Sequence, residues 1–328
     1  MTTATYAKPN RSATASYMPV QVEMCRRLLR TSVDLFVQYK APAEPVLYHR
    51  ACVPIEPNQT NRLMDAGLRQ LFVRTGDFQQ FSADLLSTID AEYETGAVAP
   101  AERFAALQLA MAVEIEHAAR LLDCAPYVAV AEKLSRELTS LILDNNVLPR
   151  DLFRLARHDF NTFTHITNVA SYSVLLAKKL GFCTESDYEP LAKAAILHDI
   201  GKRFIPASIL SKPAKLTPEE RSIIETHPQR GYEELCDRHD MTEAQLMMVY
   251  QHHERCDGTG YPVGYRGEEI HPWARMIAVV DVFDAMTAVR PYRQPCTAQE
   301  AIDYISKNAG THFDPEIVEC WRSTMAKN

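Results

Sequence analysis

The segment His252-His253-Glu254-Arg255-Cys256-Asp257-Gly258-Thr259-Gly260-Tyr261-Pro262 brings two adjacent histidines, two acids and a glycine-rich turn together. Neighbouring side chains on a helix diverge by about 100°. Two consecutive imidazoles therefore suit a helix end that faces a group of metal ions better than chelation of a single ion. Alone, the segment also admits a blander and lesser reading, a surface turn that happens to carry histidines. The rest of the chain separates the two readings: His165, the pair His198-Asp199, His227 and Asp281 add one metal-capable group per predicted helix. Three His-Asp dipeptides occur, at 158-159, 198-199 and 239-240, and only the middle one lies in an apolar helical stretch, LAKAAILHDIGK. A buried His beside a buried Asp needs polar partners or a metal. Asp159 reads instead as a helix N-cap, and His239-Asp240 as part of a polar loop.

Helices must carry these groups. From Pro149 onward the pattern is helical throughout, over approximately 150–157, 162–180, 187–199, 217–236, 242–254, 271–289, 297–308 and 314–325. Gly181, the Lys212-Pro213 break and the glycines at 258, 260, 264 and 267 punctuate them. Upstream, 32–39, 45–50 and 70–74 are β-branched and aromatic runs of strand length. A short helix over 59–68 and an amphipathic one over 78–93 accompany them. Pro100 opens a long helical stretch, followed by a second at 128–143. Glu114 and His117, three apart on the first, read as the exposed face of a connecting helix. Residues 1–17, rich in Thr, Ala and Ser, read as a disordered tail. The expected fold is mainly α: a smaller N-terminal α/β module with connecting helices over 18–145, regulatory or interacting in role, then an all-α domain over 146–328.

The 42 acidic residues outnumber 35 basic ones, for a formal charge of −7. That argues against a binder of nucleic-acid polymers, which would show a basic patch or stripe, but not against a small anionic ligand held by a local cationic cluster. Eight cysteines without a CxxC pair read as reduced thiols. No apolar run approaches the roughly 18 residues of a membrane span, and the N-terminus lacks the apolar core of a secretory signal. The expected location is cytoplasmic, with no membrane partner.

Taken in order, His198-Asp199-Ile200-Gly201-Lys202, His227-Pro228, HHERCDGTGYP, Asp281-Val282-Phe283-Asp284-Ala285 and Arg290-Pro291-Tyr292-Arg293 resemble the HD-GYP domain, a branch of the HD phosphohydrolases. The resemblance covers about residues 150–325 and leaves the N-terminal half aside. It implies an all-α domain that holds two or three metal ions and hydrolyses the bacterial second messenger cyclic di-GMP. The ligands it implies are His165, His198, Asp199, His227, His252, His253 and Asp281, with Asp199 bridging two ions. Mixed imidazole and carboxylate ligation suits iron or manganese, with nickel or zinc as alternatives. Two ions about 3.5–4 Å apart generate hydroxide near neutral pH and offset the charge that builds at phosphorus and the leaving oxygen. Lys202, at i+4 from His198, is expected to face the same cleft and to contact the scissile phosphate or help the leaving group. Tyr261, Arg290 and Arg293 match positions the family uses around its ligand, and the planar fork of Arg suits phosphate. Asp257, Gly258, Gly260, Tyr261 and Pro262 form the loop that names the family, which the resemblance also implies as a docking surface for diguanylate cyclase (GGDEF) domains.

Two departures shape the expectation. Asn161 stands four residues before His165, where members holding a third metal have Glu, so two ions are expected, with pGpG as main product and GMP as a further one. Gln294 follows Arg293 where a Lys is common. The N-terminal module shows no receiver-type pattern of acidic pair and Lys, and its connecting helices are a candidate homodimer contact. Two alternatives stand beside the leading one: an HD hydrolase of another cyclic dinucleotide such as cyclic GMP-AMP, and a low-activity cyclic di-GMP receptor that signals through protein contacts.

Overall fold

The computed structural model describes residues 17–25, 28, 30–39, 44–68, 70–94, 115, 123–144, 162–181, 183–210, 212, 214–288 and 295–326. Two compact units divide at Glu94/Thr95. In the first, strands β1 (Tyr17–Gln21), β2 (Leu35–Val37), β3 (Val46–His49) and β4 (Gln70–Arg74) form one antiparallel sheet in the order β1-β4-β2-β3. β4 matches the expected run, whereas β2 and β3 are shorter than expected. β1 was not expected as a strand. Its alternation is brief, with Met18 and Val20 turned inward at 7% and 1% exposure, and it directly follows the Thr- and Ser-rich tail. Helices α1 (Pro57–Asp65) and α2 (Phe78–Glu94) complete the unit. Phe78, Phe81 and Leu85 of α2 are fully buried, so the amphipathic spacing read from the sequence is the core face.

Among the described residues the second unit is helical, with α3 (Ala125–Asp144), α4 (Thr162–Leu180), α5 (Tyr188–Leu197), α6 (Pro218–Ile224), α7 (His227–Leu235), α8 (Glu243–Gln251), α9 (Pro272–Thr287), α10 (Ala298–Lys307) and α11 (Pro315–Ala326). Thr217, Thr242 and Thr297 start α6, α8 and α10. Each accepts a backbone N–H from the residue three on, while Glu220, Gln245 and Glu300 reach back to the cap N–H. Each such cap is worth about 1 kcal/mol. The centre of the unit is α5, whose residues from Leu191 to Leu197 are all buried among α3, α4 and α8. A helix that is apolar on every side must be enclosed. Lys193 is its exception, and its Nζ donates to the Asp240 carbonyl at 2.9 Å. The helix expected to connect two modules, α3, packs inside this unit against α4 and α5, burying Val128, Leu134, Leu138 and Ile142. Tyr172 of α4, Phe283 of α9 and Trp321 of α11 meet edge to face with ring centroids 5.2–5.8 Å apart. That cluster fixes α4 against α9, the two helices that carry His165 and Asp281.

Three helix boundaries correct the expectation, and all three matter to the site. The stretch 217–236 is two helices, because Pro228 lacks an N–H and its ring would strike the carbonyl of Ile224. The stretch 187–199 stops at Leu197 and continues from Ile200 to Phe204 as a 3₁₀ turn. Likewise α8 ends at Gln251, leaving His252 and His253 in a turn. The 3₁₀ turn lies hard against α7: a Cβ on Gly201 would stand 2.0 Å from the His227 carbonyl oxygen and 2.6 Å from the Gly231 nitrogen. All eight cysteines are free, and no helix among the described residues is long and apolar enough to cross a membrane. The expected helix at 150–157, the stretch opening at Pro100 with Glu114 and His117, and residues 1–16 of the tail lie outside the described residues.

Gly201→Ala forces backbone apart, because the clashing atoms are main chain. The variant is expected to lose about 1–3 kcal/mol of unfolding free energy, the range for overpacking. Urea denaturation measures this, and an unchanged midpoint would mean that the turn and α7 separate without cost.

Candidate metal centre

The seven candidate ligands come from five places: His165 within α4, His198 and Asp199 in the turn after α5, His227 at the start of α7, His252 and His253 in the turn after α8, and Asp281 within α9. His165, His198, Asp199, His227, His252 and Asp281 are each at most 9% exposed. Their donor atoms fall into two groups, each within 4.8 Å: Asp199, His227, His252 and His253, and His165, His198 and Asp199. Asp199 belongs to both. Asp281 joins through His165, whose Nε2 lies 3.0 Å from its Oδ1.

Helix ends explain how the imidazoles are presented. The last turn of a helix leaves carbonyls without intrahelical partners. His198 Nδ1 sits 2.6 Å from the Ala195 oxygen, His227 Nδ1 2.8 Å from that of Ile224, and His252 Nδ1 2.8 Å from that of Val249. A carbonyl only accepts, so each Nδ1 carries the proton, and in a neutral ring each Nε2 is left as a lone pair. Those lone pairs face one another and Asp199. His227 Nε2 and His252 Nε2 are 3.1 Å apart, with neither able to donate to the other. His227 Nε2 is 3.2 Å from Asp199 Oδ1, and the buried His198 Nε2 and Asp199 Oδ1 have no hydrogen-bond partner. Buried lone pairs converging without protons between them are what a cation satisfies. The residues therefore fit metal ions, and the donor set alone does not choose among iron, manganese, nickel and zinc.

The electrostatics agree. Burial, with the neighbouring His198 and His227, pushes His252 down to about 4. Burial and the adjacent His252 and His227 hold His253 well below the ordinary histidine value. Burial raises Asp199 and Asp281, but cationic neighbours outweigh it: Lys202 beside Asp199 and His165 beside Asp281 hold both below the usual carboxylate range. His165 differs from the other imidazoles. It lies inside a helix, so its Nδ1 donates to a carboxylate, Asp284 Oδ2, at 2.7 Å. Burial would lower it, yet the hydrogen bonds to Asp281 and Asp284 raise it to about 10 in the metal-free protein. Asn168 Nδ2 holds the other oxygen of Asp284 at 2.9 Å.

The loop after His253 is wound on one side chain. Glu254, 2% exposed, accepts the backbone N–H groups of Val263, Gly264 and Tyr265 at 2.8–3.1 Å. Gly260 presses on the ligand strand, where a Cβ would stand 2.4–2.6 Å from Arg255 N, Glu254 Cα and His253 O. Asp257 Oδ1 accepts from Thr259 N at 2.9 Å, and Gly258 takes a positive φ of 78°. Pro262 follows a cis peptide, and the ring of Tyr261 lies 4.8 Å from that of His253. Lys202 reaches the centre through the 3₁₀ turn at i+3 from Asp199, its Nζ 2.5 Å from Asp199 Oδ2, and not along a continuous helix from His198. Arg290, Arg293 and Asn161 lie outside the described residues. Asp284, Asn168 and Glu254 were not singled out from the sequence as site residues. Asp284 had a signal, since it lies three residues from Asp281 on the same face of one helix.

The HD domain family profile matches residues 148–317. The cyclic di-GMP phosphodiesterase response regulator RpfG of Xanthomonas campestris is 39% identical over 194 residues, spanning 57% of this chain and 51% of that protein. The 3′3′-cGAMP-specific phosphodiesterase 2 of Vibrio cholerae is 38% identical over 163 residues, 48% of this chain and 30% of that protein. The chain thus spans about half the length of the first relative and less of the second. An HDG"Y"P protein from Bdellovibrio bacteriovorus shares the fold, with a TM-score of 0.67 over 94% of this chain and 99% of that one at 20% identity.

Metal uptake at pH 7 must displace the proton that His165 holds between two carboxylates, so affinity is expected to rise with pH up to about 10. Asp284→Asn is expected to weaken binding about 10–100-fold and to reduce the protons released. Calorimetry in buffers of different ionisation enthalpy reads both, and unaltered affinity with unaltered proton release would show that Asp284 does not orient His165. Without metal the protein is expected to lose stability as pH falls from 6.5 through about 4, because the unfolded chain takes up a proton that buried His252 refuses. Thermal melting across that window measures the loss.

Proposed function

The chain belongs to the HD domain family, and from that membership we propose that it is a metal-dependent phosphodiesterase that opens cyclic di-GMP to the linear dinucleotide pGpG, with GMP as a further product. One observation carries the reading: two groups of buried or half-buried imidazoles share the carboxylate of Asp199. The name borne by the Xanthomonas relative supports the substrate. In this reading His227, His252 and His253 would hold one divalent ion and His165, His198 and Asp281 a second, with Asp199 available to both. Such a pair supplies a nucleophile near neutral pH and offsets charge at the phosphoryl group.

The chain's own residues do the rest. The backbone carbonyls of Ala195, Ile224 and Val249 keep the Nδ1 protons, so the Nε2 atoms stay aimed inward before and after turnover. Asp284 and Asn168 set the ring of His165. Lys202, with a third of its side chain exposed, offers a cation at the open side of the centre for the scissile phosphate and the departing 3′-oxygen. Arg290 and Arg293 are proposed to grip the ligand's phosphates. The N-terminal part of the expected 18–145 module, the sheet unit that ends at Glu94, is proposed as a regulatory or interaction module. The loop around Tyr261, where Val263 is 50% exposed, is proposed as a dock for a GGDEF domain. A second substrate, 3′3′-cGAMP, is favoured by the name of the Vibrio relative.

The test is anaerobic purification, metal analysis and chromatography of products. About two ions per chain, as a binuclear mechanism requires, and pGpG formation lost in Asp199→Ala are expected. Lys202→Ala is expected to retain metal and to lose about 10²–10³-fold in kcat, the scale of one lost transition-state cation or donor. Bound metal with cyclic di-GMP left intact would overturn the phosphodiesterase reading for this substrate, and turnover of 3′3′-cGAMP alone would transfer it.

A further inference from the structure

Tyr261 has two neighbourhoods. One side of its ring packs on His253, tilted by 35°, and on His227, with ring centroids at 4.8 and 6.4 Å. The other lines a cleft of about 380 Å³ walled by Lys215, Leu216, Arg221, Ile224 and Glu225. Arg221 and Glu225 lie one turn apart at the end of α6, with Arg221 Nε 2.8 Å from Glu225 Oε1. On most helices an i,i+4 pair of this kind is a solvated contact worth a few tenths of a kcal/mol. Here both members, Arg221 with 72% of its side chain exposed and Glu225 with 34%, line a cleft shared with the ring that packs on the candidate ligands.

The chemistry of that cleft matches one nucleobase. Leu216 and Ile224 offer apolar surface, and the ring of Tyr261 offers a π-face on which a purine stacks. A carboxylate only accepts, so Glu225 suits an edge that presents two adjacent donors, the N1–H and N2–H₂ of guanine. The Arg fork suits the O6 and N7 acceptors on the next edge of the same base. Adenine presents a bare N1 lone pair to the carboxylate and, with an N6 amino group in place of O6, leaves the guanidinium only N7 as an acceptor. Lys215 stands at the rim as a cation for the attached phosphate.

We propose that the cleft beside Tyr261 is a guanine-recognition subsite, in which Glu225 and Arg221 select guanine over adenine at one nucleotide of the substrate. The assignment deepens the cyclic-dinucleotide reading and rests on it for the identity of that substrate, while base choice is testable apart from turnover.

The experiment is equilibrium dialysis of the metal-loaded full chain with 5′-GMP and 5′-AMP, for the wild type, Glu225→Ala, Glu225→Gln and Arg221→Ala. Hydrolysis of cyclic di-GMP is measured on the same samples. A preference for GMP of about tenfold or more is expected, as for one good bidentate base contact. It is expected to fall to near parity in Glu225→Ala and Arg221→Ala. In Glu225→Gln it is expected to shift toward AMP, because the amide can donate to N1 and accept from the N6 amino group. No preference in the wild type, or a preference that survives Glu225→Ala, overturns the subsite whatever the turnover shows. Conversely, a Glu225-dependent preference without turnover of cyclic di-GMP upholds the subsite and sinks the phosphodiesterase reading.

Discussion

The Nδ1–H groups of His198, His227 and His252 each donate to a carbonyl three residues back, and the architecture of the centre follows from that bond. It requires a helix end at each ligand, because only there is the carbonyl free. Each of the three histidines accordingly sits where a helix stops, and each stop has its own cause. Pro228 ends α6, Gly201 lets the chain after α5 turn tightly against α7, and the loop wound on Glu254 takes over after α8. The capping bond also settles which nitrogen is protonated, so three lone pairs converge on one region with no base needed to remove their protons. His165 lies in the first turns of α4 and its Nδ1 donates to the carboxylate of Asp284 instead.

Convergence of lone pairs costs stability unless something occupies their focus. His227 Nε2 and His252 Nε2 at 3.1 Å repel as neutral acceptors, and protonation would place a charge in a site that burial makes hostile to it. The surrounding helices overrule that local penalty. The aromatic cluster of Tyr172, Phe283 and Trp321 and the enclosed α5 hold the ligand-bearing segments in place without any contribution from the centre itself. Folding energy from apolar packing is thus spent on keeping an acceptor-rich cavity open, the usual relation between a rigid scaffold and a strained functional site.

How much of this was legible in one dimension depends on the kind of interaction. The candidate ligands could be picked out because consecutive histidines and an HD pair in an apolar helix have few structural uses. Helical character after residue 149 could be read from apolar periodicity, and β4 from its composition. The boundaries could not, since the ends of α5, α6 and α8 are set by contacts with other segments, such as Gly201 on the His227 carbonyl. Nor could the role of Asp284, whose partners His165 and Asn168 are 119 and 116 residues away. Strand β1 escaped because it has only two inward side chains next to a polar tail. The Arg221–Glu225 pair looks in sequence like any exposed helical ion pair, and its facing a cleft beside Tyr261 is visible only in three dimensions.

Glu254 follows the ligand His253 directly and holds three loop N–H groups, while Gly260 returns the loop onto the backbone of residues 253–255. Ligand turn and loop are consequently one mechanical piece, with almost no slack between its exposed tip at Val263 and the imidazole at its root. The exposed tip of this loop and the candidate ligand at its root are therefore joined by a short run of backbone and one carboxylate, with no helix between that surface and the centre.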